Sequence, residues 1–313
     1  MVSPSLKINL SIIVIFLLCL VALIFWGDIG FSTDRELIGL LRLPKVLTTF
    51  SIGLLLSVSG FFMQAIFKEP MAGPDLFGIQ SGASVSVAVA SLYFGLQDFG
   101  LYSFLGAVAV SILLMILFQF FYQRTLLIVS GLMISALLNS VISIVLYRAH
   151  PEAIKNYLLW GQGSFRQLDF HHALFYFVLT LISMVPVLWL YKKSKLLFLG
   201  RDFALLAGLN EKKFFWIFVA MNSLWVTLVL KIAGPIGFIG VMAPNMVRVL
   251  APTISYREKF FSTLVLGIIL AMMTEVMISL FFDGDFNPNV ILGLFSIPFF
   301  IYLFAGKFRR VHD

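Results

Sequence analysis

Long runs of apolar residues alternate along this chain with short polar connections. There are about ten such runs, and most approach the roughly 20 residues that a helix needs to cross a hydrocarbon core of about 30 Å, although the eighth and tenth are shorter. Their polar residues do not recur at every second position, as they would in the strands of a membrane barrel. The pattern therefore predicts an all-α integral membrane protein that forms a single polytopic domain over residues 1–313. In chain order the runs are Ile8 to Trp26, Val46 to Phe67, Leu76 to Phe94, Leu101 to Phe121, Leu126 to Tyr147, Ala173 to Tyr191, Phe214 to Ile232, Ile236 to Leu250, Phe261 to Phe282 and Val290 to Phe304.

Composition agrees with this pattern. Hydrophobic residues make up 60% of the chain and charged residues only 12%, and the mean hydropathy is +1.02. Soluble domains are charged at roughly a quarter of their residues. The net charge is +7, and the basic residues that produce it lie between the apolar runs. They therefore indicate orientation in a membrane rather than binding to nucleic acid. The single cysteine, Cys19, lies inside the first run and predicts packing rather than a disulfide or a metal site.

The positions of lysine and arginine predict the orientation. With ten spans, fifteen of the 22 basic side chains fall on the side of the N-terminus and seven on the other. Cytoplasmic loops carry an excess of these residues, so both termini are expected in the cytoplasm. Only Lys7 precedes the first run and no small-residue cleavage site follows Trp26, so this run is expected to be a retained helix.

Small and polar residues recur on one face of two predicted helices. Such a face can line a pathway, or it can let two helices approach closely and hydrogen-bond; the packing interpretation is favoured for both. The two faces consist of Gly131, Ser135, Asn139 and Ser143 in the fifth run, and of Gly53, Ser57, Gly60 and Gln64 in the second.

Glu275 is the one acidic residue well inside an apolar run, where a charge is costly unless it is paired, protonated or near water. One interpretation is a proton-coupling carboxylate. The favoured alternative is a residue near a helix end that faces a water-filled or inter-subunit region, because the sequence offers no second buried acid or histidine for a relay.

Catalytic and metal-binding patterns are not found in the sequence. The histidines lie in loops or at the C-terminus without HExxH spacing, so no metal site is predicted. The chain also lacks the GxxxxGK[ST] phosphate loop, so any dependence on ATP requires a separate subunit. We expect no enzyme activity and no cofactor bound by this chain. The histidines are His150, His171, His172 and His312.

A connection at residues 195–213 has a helical pattern of its own. It contains apolar Phe203, Leu205 and Leu206 and is expected to form a short surface helix ended by Gly208. Such a helix can dock into a groove of a peripheral protein. A plain basic connector is the alternative, and composition alone does not separate the two.

Motifs along most of the chain resemble those of the FecCD family of ABC-importer permeases. The resemblance covers the chain from about Arg42 to Phe304, with the motifs at matching intervals. The matching residues are Arg42-Leu-Pro-Lys45, Gly53, Ser59-Gly60, Gln64, Glu69-Pro-Met-Ala-Gly-Pro-Asp-Leu-Phe-Gly78, Ser81-Gly-Ala83, Trp160, Gly163-Ser164, Leu199-Gly200, Ala204, Gly208, Gly234-Pro-Ile-Gly-Phe-Ile-Gly240, Pro244, Arg248, Gly293 and Pro298-Phe299.

The resemblance implies an architecture and a function. The fold is expected to be that of a type II ABC importer permease, similar to the vitamin B12 importer, with ten spans organised partly as inverted repeats. The chain is expected to work in the bacterial cytoplasmic membrane with a second permease copy or paralogue, two ATPase subunits that use ATP and Mg, and an extracytoplasmic binding protein. The expected cargo is an iron chelate, ferric siderophore above all, with cobalamin or haem as alternatives. A proton-coupled secondary transporter that uses Glu275 is the less favoured reading.

The resemblance also implies roles for individual residues. Two basic residues match positions that dock the binding protein, with anchoring of a helix end at the headgroups as the less favoured alternative. The segment around residue 204 matches the coupling helix that seats in the ATPase. The chain departs from the family pattern at Asn245, usually histidine, at Glu275, usually aspartate, and at Arg201, often glutamate. The proposed site residues are Arg42 and Lys45 for docking, Gly200, Arg201, Asp202, Ala204 and Gly208 for coupling, and Gly131, Ser135, Asn139, Ser143 and Gln64 for the translocation pathway.

Overall fold

In the computed structural model the chain is almost entirely helical. The structure describes residues 4–27, 30–31, 38–74, 78–93, 99–120, 124–199, 201–282 and 286–312. A π-helical turn, Ile38–Arg42, leads into the second helix, and the two-residue strands β1 (Trp26–Gly27) and β2 (Gly30–Phe31) pair antiparallel. The described helices are α1 (Pro4–Phe25), α2 (Leu43–Phe67), α3 (Ile79–Tyr93), α4 (Phe99–Phe120), α5 (Arg124–Tyr147), α6 (Pro151–Gln162), α7 (Phe170–Ser183), α8 (Val187–Leu199), α9 (Arg201–Leu206), α10 (Glu211–Ala233), α11 (Ile239–Leu250), α12 (Tyr256–Phe281) and α13 (Pro288–His312).

Each predicted apolar run falls on one of these helices or on a pair of them, which confirms the all-α membrane fold. Among the described residues, five helices are long and apolar enough to cross a membrane, and α7 with α8 makes a sixth if the pair is one span. The remaining runs lie on helices whose described apolar parts are shorter, namely α1, α3, α11 and α13.

Two of the runs are interrupted by backbone geometry. The helices α7 and α8 meet at an angle of 42°, next to Pro186. Proline has no N–H for the helical ladder, and its ring collides with the preceding turn. The eighth run becomes helical only at Ile239, because Gly234 and Phe238 just before it have φ angles of +74° and +66°. The chain can therefore turn inside the apolar region.

The buried helix α2 forms the centre of the bundle and packs on α7, α10, α11 and α12. Its glycines allow backbones to touch. A Cβ on Gly53 would lie 2.7 Å from the Gly267 carbonyl oxygen, and one on Gly60 would lie 1.7 Å from the Gly240 oxygen. Ser57 fills the same seam against Gly267. Small residues permit such close helix contacts in membranes, so the packing interpretation of this face is confirmed.

The helices define two ends of the bundle. At one end lie the start of α2, the end of α10 and α6; Ser164, just after α6, donates its N–H to the Ala233 oxygen at 2.8 Å. We call this the α6 end. The opposite end, which we call the α9 end, holds α9, the end of α2 and the start of α10, where the rings of Phe67 and Phe215 lie 5.8 Å apart.

Candidate functional site

A cavity of about 620 Å³ lies between α3, α5, α11 and α13, beside the turn at residues 234–238. Its polar lining consists of neutral hydroxyl and amide groups, and in the described part of the chain no lysine, arginine, aspartate or glutamate lines it. Leu132, Phe238 and Phe300 supply apolar surface. The cavity can therefore hydrogen-bond a solute without holding it through ionic contacts with the lining. The polar residues are Gln80, Ser81, Ser84, Ser135, Asn139 and Asn289.

Two of the predicted pathway residues, Ser135 and Asn139, line this cavity. Gly131 is buried one turn away, where a Cβ on Gly78 would come within 3.1 Å of its carbonyl oxygen. Ser143 is exposed, does not line the cavity, and donates its hydroxyl to the Asn139 oxygen at 3.0 Å. The face of α5 thus combines both readings: it packs at Gly131 and borders open space at Ser135 and Asn139.

The cavity wall at residues 234–238 is held by contact between two backbone turns. Gly163 and Gly234 both have positive φ angles, +72° and +74°. A Cβ on Gly234 would lie 2.8 Å from the Trp160 oxygen, and one on Gly163 would lie 2.8 Å from the Pro235 oxygen. Only glycine tolerates both this conformation and this proximity. These contacts give a physical reason for the glycines and for Trp160 in the sequence motifs.

Asn289, in the first turn of α13, ties the same wall together. Its Nδ2 donates to the Pro235 oxygen at 2.9 Å and to the Gln162 oxygen at 3.2 Å, and its Oδ1 accepts from the Gly237 N–H at 2.9 Å. A side-chain amide can donate through its nitrogen and accept through its oxygen at the same time. Sequence analysis did not single out Asn289, because its partners are far away in the chain.

Phe238 occupies a strained turn at the cavity. Its φ and ψ are +66° and −40°, and the N–H of Ile239 donates to the Gly237 oxygen at 2.8 Å, which makes a γ-turn. A non-glycine residue in this region costs on the order of 1–3 kcal/mol and persists only where the surroundings impose it. The side chain is 41% exposed and lines the cavity. No local sequence pattern indicates this conformation.

Gln64, the fifth predicted pathway residue, lies elsewhere. Its Nε2 donates to the Val241 oxygen at 3.2 Å, and its Oε1 accepts from Arg248 at 2.9 Å. Arg248 also donates to Asn245 Oδ1 at 3.1 Å, and Asn245 donates to the Pro70 oxygen at 2.7 Å. Gln64 therefore belongs to a polar cluster at the α9 end and not to the lining of the 620 Å³ cavity. Asn245, where the family pattern has histidine, links α11 to the segment after α2 through its hydrogen bond to Pro70.

The two predicted docking residues differ in accessibility. Arg42 is only 4% exposed, and its Nη1 donates to the Ile24 oxygen near the end of α1 at 3.0 Å. This geometry favours the alternative reading, a residue that anchors a helix end. Lys45, one turn further on, is half-buried.

The helix α9 ends as the sequence predicts. Gly208 has a φ of +75°, its N–H donates to the Leu205 oxygen, and the Leu209 N–H donates to the Ala204 oxygen, both at 2.9 Å. These are the two hydrogen bonds of a Schellman cap, so the expected stop at Gly208 is confirmed. Ala204 and Leu209 are buried, while Leu206 is 89% exposed.

The other coupling residues are described only in part. Arg201 and Asp202 form the first turn of α9. Gly200 lies outside the described residues. Phe203 and Leu205 are exposed like Leu206, so α9 presents an apolar surface that nothing in the described chain covers.

Glu275 corrects an expectation. The sequence favoured a position facing water or another subunit, but the side chain is 1% exposed and its Oε1 accepts from Arg166 Nε at 2.7 Å. Arg166 also donates to Ser279 Oγ at 2.8 Å. The acid is therefore a buried, paired group. Sequence analysis did not identify Arg166 as the partner, because the two residues are 109 positions apart in the chain.

Titratable groups at the α6 end do not form a metal site. In the described residues no group of three or more His, Cys, Asp or Glu side chains could hold a metal ion. His172 pairs instead with the exposed carboxylate of Asp169, and this hydrogen bond lowers the pKa of Asp169. His171, the neighbouring residue, packs its ring against Phe170.

The chain belongs to the FecCD transport family, whose sequence model matches residues 12–306. Membership of this family makes it the membrane permease subunit of an ABC importer, in which the ATPase activity lies on a separate subunit.

Known relatives agree with this class and differ in cargo. The chain is 27% identical over 272 residues to the molybdate import system permease protein MolB of Haemophilus influenzae, with 85% of this chain and 80% of the relative covered. It is 25% identical over 264 residues to an iron chelatin transport system permease protein of Helicobacter pylori, covering 84% and 80%. Its fold matches an inward-facing conformation of a metal-chelate type ABC transporter with a TM-score of 0.86 and 23% identity, over 96% and 99% of the two chains.

Proposed function

We propose that this chain carries an iron chelate, chiefly a ferric siderophore, across the bacterial cytoplasmic membrane. The observation that supports this most is the 620 Å³ cavity lined by neutral hydroxyl and amide groups. A translocation site must bind well enough to admit its solute and weakly enough to release it, and neutral hydrogen-bonding groups meet both conditions for an oxygen-rich chelate. The iron chelatin permease of Helicobacter pylori is a relative of this chain. Cobalamin and haem are alternative cargoes in the same architecture.

The proposed assembly contains a second permease copy or paralogue, two ATPases that use ATP and Mg, and an extracytoplasmic binding protein. The exposed apolar surface of α9 suits a docking helix, and the ATPase is its proposed partner. In this proposal the α9 end and both termini lie in the cytoplasm, and the distribution of lysine and arginine supports that orientation. The binding protein would approach the α6 end, where Lys45 is the more accessible of the two proposed docking residues. The chain itself is proposed to bind no cofactor.

Coupling to ATP rather than to protons is supported by the state of Glu275. The Glu275 carboxylate is 1% exposed and is engaged by the Arg166 guanidinium at 2.7 Å, so it is not open to water for proton exchange. A secondary transporter would need that group to release and take up protons during each cycle.

Uptake into proteoliposomes that contain the permease, its ATPase and its binding protein tests this proposal. Radiolabelled ferric siderophore, cobalamin, haem and molybdate are offered separately, with and without ATP. We expect ATP-dependent uptake of the ferric siderophore. Uptake of only one of the other three would replace the proposed cargo, and uptake without the ATPase would refute the coupled mechanism.

Gly208→Val tests the coupling helix in the same assay. The φ of +75° is strained for valine, although no atom lies within 4 Å to block the side chain. Ala207→Val is the matched control, because Ala207 is exposed next to Gly208. We expect loss of ATP-driven uptake in the first variant and normal uptake in the second. Equal uptake by both variants would show that the cap of α9 does not matter for coupling.

A further inference from the structure

A second cavity, of about 370 Å³, lies at the α9 end between α2, α11 and α12. Three cationic side chains line it: Lys68, Arg248 and Lys259. All three are at helix ends, since Lys68 follows the last residue of α2, Arg248 is in the last turn of α11 and Lys259 is in the first turn of α12. In a membrane protein that level corresponds to the lipid headgroups. We propose that this cavity binds a phosphate group, supplied by the headgroup of an anionic phospholipid.

The charge of the cavity supports an anionic ligand. No carboxylate is among the described residues that line it. Glu69 is close enough to act on Arg248 electrostatically, and its Oε1 accepts from the Met71 N–H at 3.3 Å. Glu258, on the first turn of α12, is engaged in the cap of that helix with Ser255. The three cations therefore outnumber the two nearby acids, one of which is engaged in a helix cap.

The Arg248 guanidinium is held in place by two neutral hydrogen-bond acceptors. Its two guanidinium hydrogen bonds go to the neutral amide oxygens of Gln64, at 2.9 Å, and Asn245, at 3.1 Å. A planar guanidinium fixed in this way is suited to phosphate, which it can bind through two parallel hydrogen bonds. The polar cluster around Gln64 would then serve to position Arg248 for the phosphate, since Gln64 does not line the 620 Å³ cavity.

The remaining walls favour a lipid over free phosphate. Phe61, Ala65, Pro244 and Val247 provide apolar surface beside the cations, and the ring of Tyr256 packs on Phe61 at 5.3 Å. A free phosphate ion would gain nothing from these side chains, whereas the glycerol and upper acyl carbons of a lipid would bury against them. With the α9 end in the cytoplasm, as proposed above, the cavity resembles the basic pockets between membrane helices that bind anionic headgroups on that side.

Native mass spectrometry of the detergent-purified complex with its ATPase tests the proposal. Dioleoylphosphatidylglycerol is compared with dioleoylphosphatidylcholine, and inorganic phosphate is added as a competitor. We expect phosphatidylglycerol to bind more tightly than phosphatidylcholine and to resist displacement by phosphate. Equal binding of the two lipids would overturn the proposal. Displacement by inorganic phosphate would overturn the lipid assignment, and binding of phosphatidylglycerol only when the ATPase is removed would assign the cavity to a protein contact instead.

The double variant Lys68→Gln, Lys259→Gln locates the site without disturbing the Arg248 cluster. A basic residue near the surface contributes about a fivefold change in affinity, so we expect phosphatidylglycerol binding to fall on the order of 25-fold. The control is Lys192→Gln, Lys195→Gln, which removes two exposed cations from α8. Equal affinities in the two double variants would overturn the proposed location. Thermal unfolding of both variants in lipid-free detergent shows whether either change acts through the fold.

Discussion

Arg166 and Glu275 form an ion pair that joins the segment after α6 to the far part of α12. The Nε of Arg166 lies 2.7 Å from Oε1 of Glu275, and the same guanidinium donates to Ser279 one helical turn further on. The carboxylate is inaccessible to solvent, while Arg166 retains partial exposure. A buried pair of this kind contributes little net stability when intact, but each charge depends on the other. The pair therefore fixes how the α6 end sits on α12.

Arg166→Ala is predicted to destabilise the protein more than removal of both charges does. The single change leaves a buried carboxylate without its cation, which costs about 3–5 kcal/mol of unfolding free energy. In Arg166→Met, Glu275→Met no charge is left unpaired, so a large part of that loss should be recovered. Denaturation in detergent measures all three proteins. A double variant no more stable than Arg166→Ala would contradict this account.

Gly60→Ala is predicted to weaken the contact between α2 and α11. The new methyl group would lie 1.7 Å from the Gly240 oxygen, so the two backbones must separate, at a cost of about 1–3 kcal/mol or more. Gly39→Ala is the control, because no atom lies within 4 Å of its added Cβ. The melting temperature should fall clearly for Gly60→Ala and little for Gly39→Ala. Similar melting temperatures for the two variants would show that the seam can relax.

The sequence predicted the parts of the fold that depend on local patterns. Apolar runs located the spanning helices, three- and four-residue spacing located the α2 seam, and Gly208 located the end of α9. The 12-residue helix α6 was not predicted, since it is amphipathic and lies between apolar runs. Its position became clear only from contacts with distant segments.

The candidate site was harder to predict because it is assembled from distant parts of the chain. Ser135 and Asn139 were found from their spacing on α5, but Asn289 and Phe238 act through the turn at residues 234–238. No local pattern reports that Phe238 has a positive φ, since the residue type disfavours it. Arg166 was not predicted as a partner of Glu275, because the two residues are 109 positions apart in the sequence.

Leu206→Asp is predicted to separate the ATPase from the permease. The side chain is exposed, so the change should alter the free energy of unfolding by less than about 0.5 kcal/mol. A charge in an apolar docking surface should lower ATP-driven uptake at least about tenfold. Asn210→Asp is the matched control, since it adds the same charge nearby and aspartate is an equally good cap for α10. Co-purification of the ATPase and uptake are the two measurements. Retention of both in Leu206→Asp would exclude α9 as the docking helix.

Asn139→Phe is predicted to obstruct the proposed pathway without unfolding the protein. The side chain borders the 620 Å³ cavity, so a larger ring has room to enter it and would fill part of the space. Ser140→Phe places the same ring on the next residue of α5, which does not line the cavity. We expect reduced cargo uptake with normal ATPase binding for the first variant only. If Ser140→Phe reduced uptake equally, the effect would belong to the α5 surface and not to the cavity.

Phe238→Gly is predicted to raise stability and change transport at the same time. Glycine adopts a φ of +66° without strain, so the γ-turn should become easier to form by about 1 kcal/mol or more, less the small burial lost with a ring that is already part exposed. The same change removes an aromatic wall from the cavity, which should let larger cargo pass or bind. Phe238→Ala removes the ring but keeps the strain, so it separates the two effects: both variants should show the altered cargo range, and only the glycine variant should gain stability. Equal unfolding free energies for glycine and alanine would mean that the turn is not strained, and unchanged cargo range in both would remove Phe238 from the pathway.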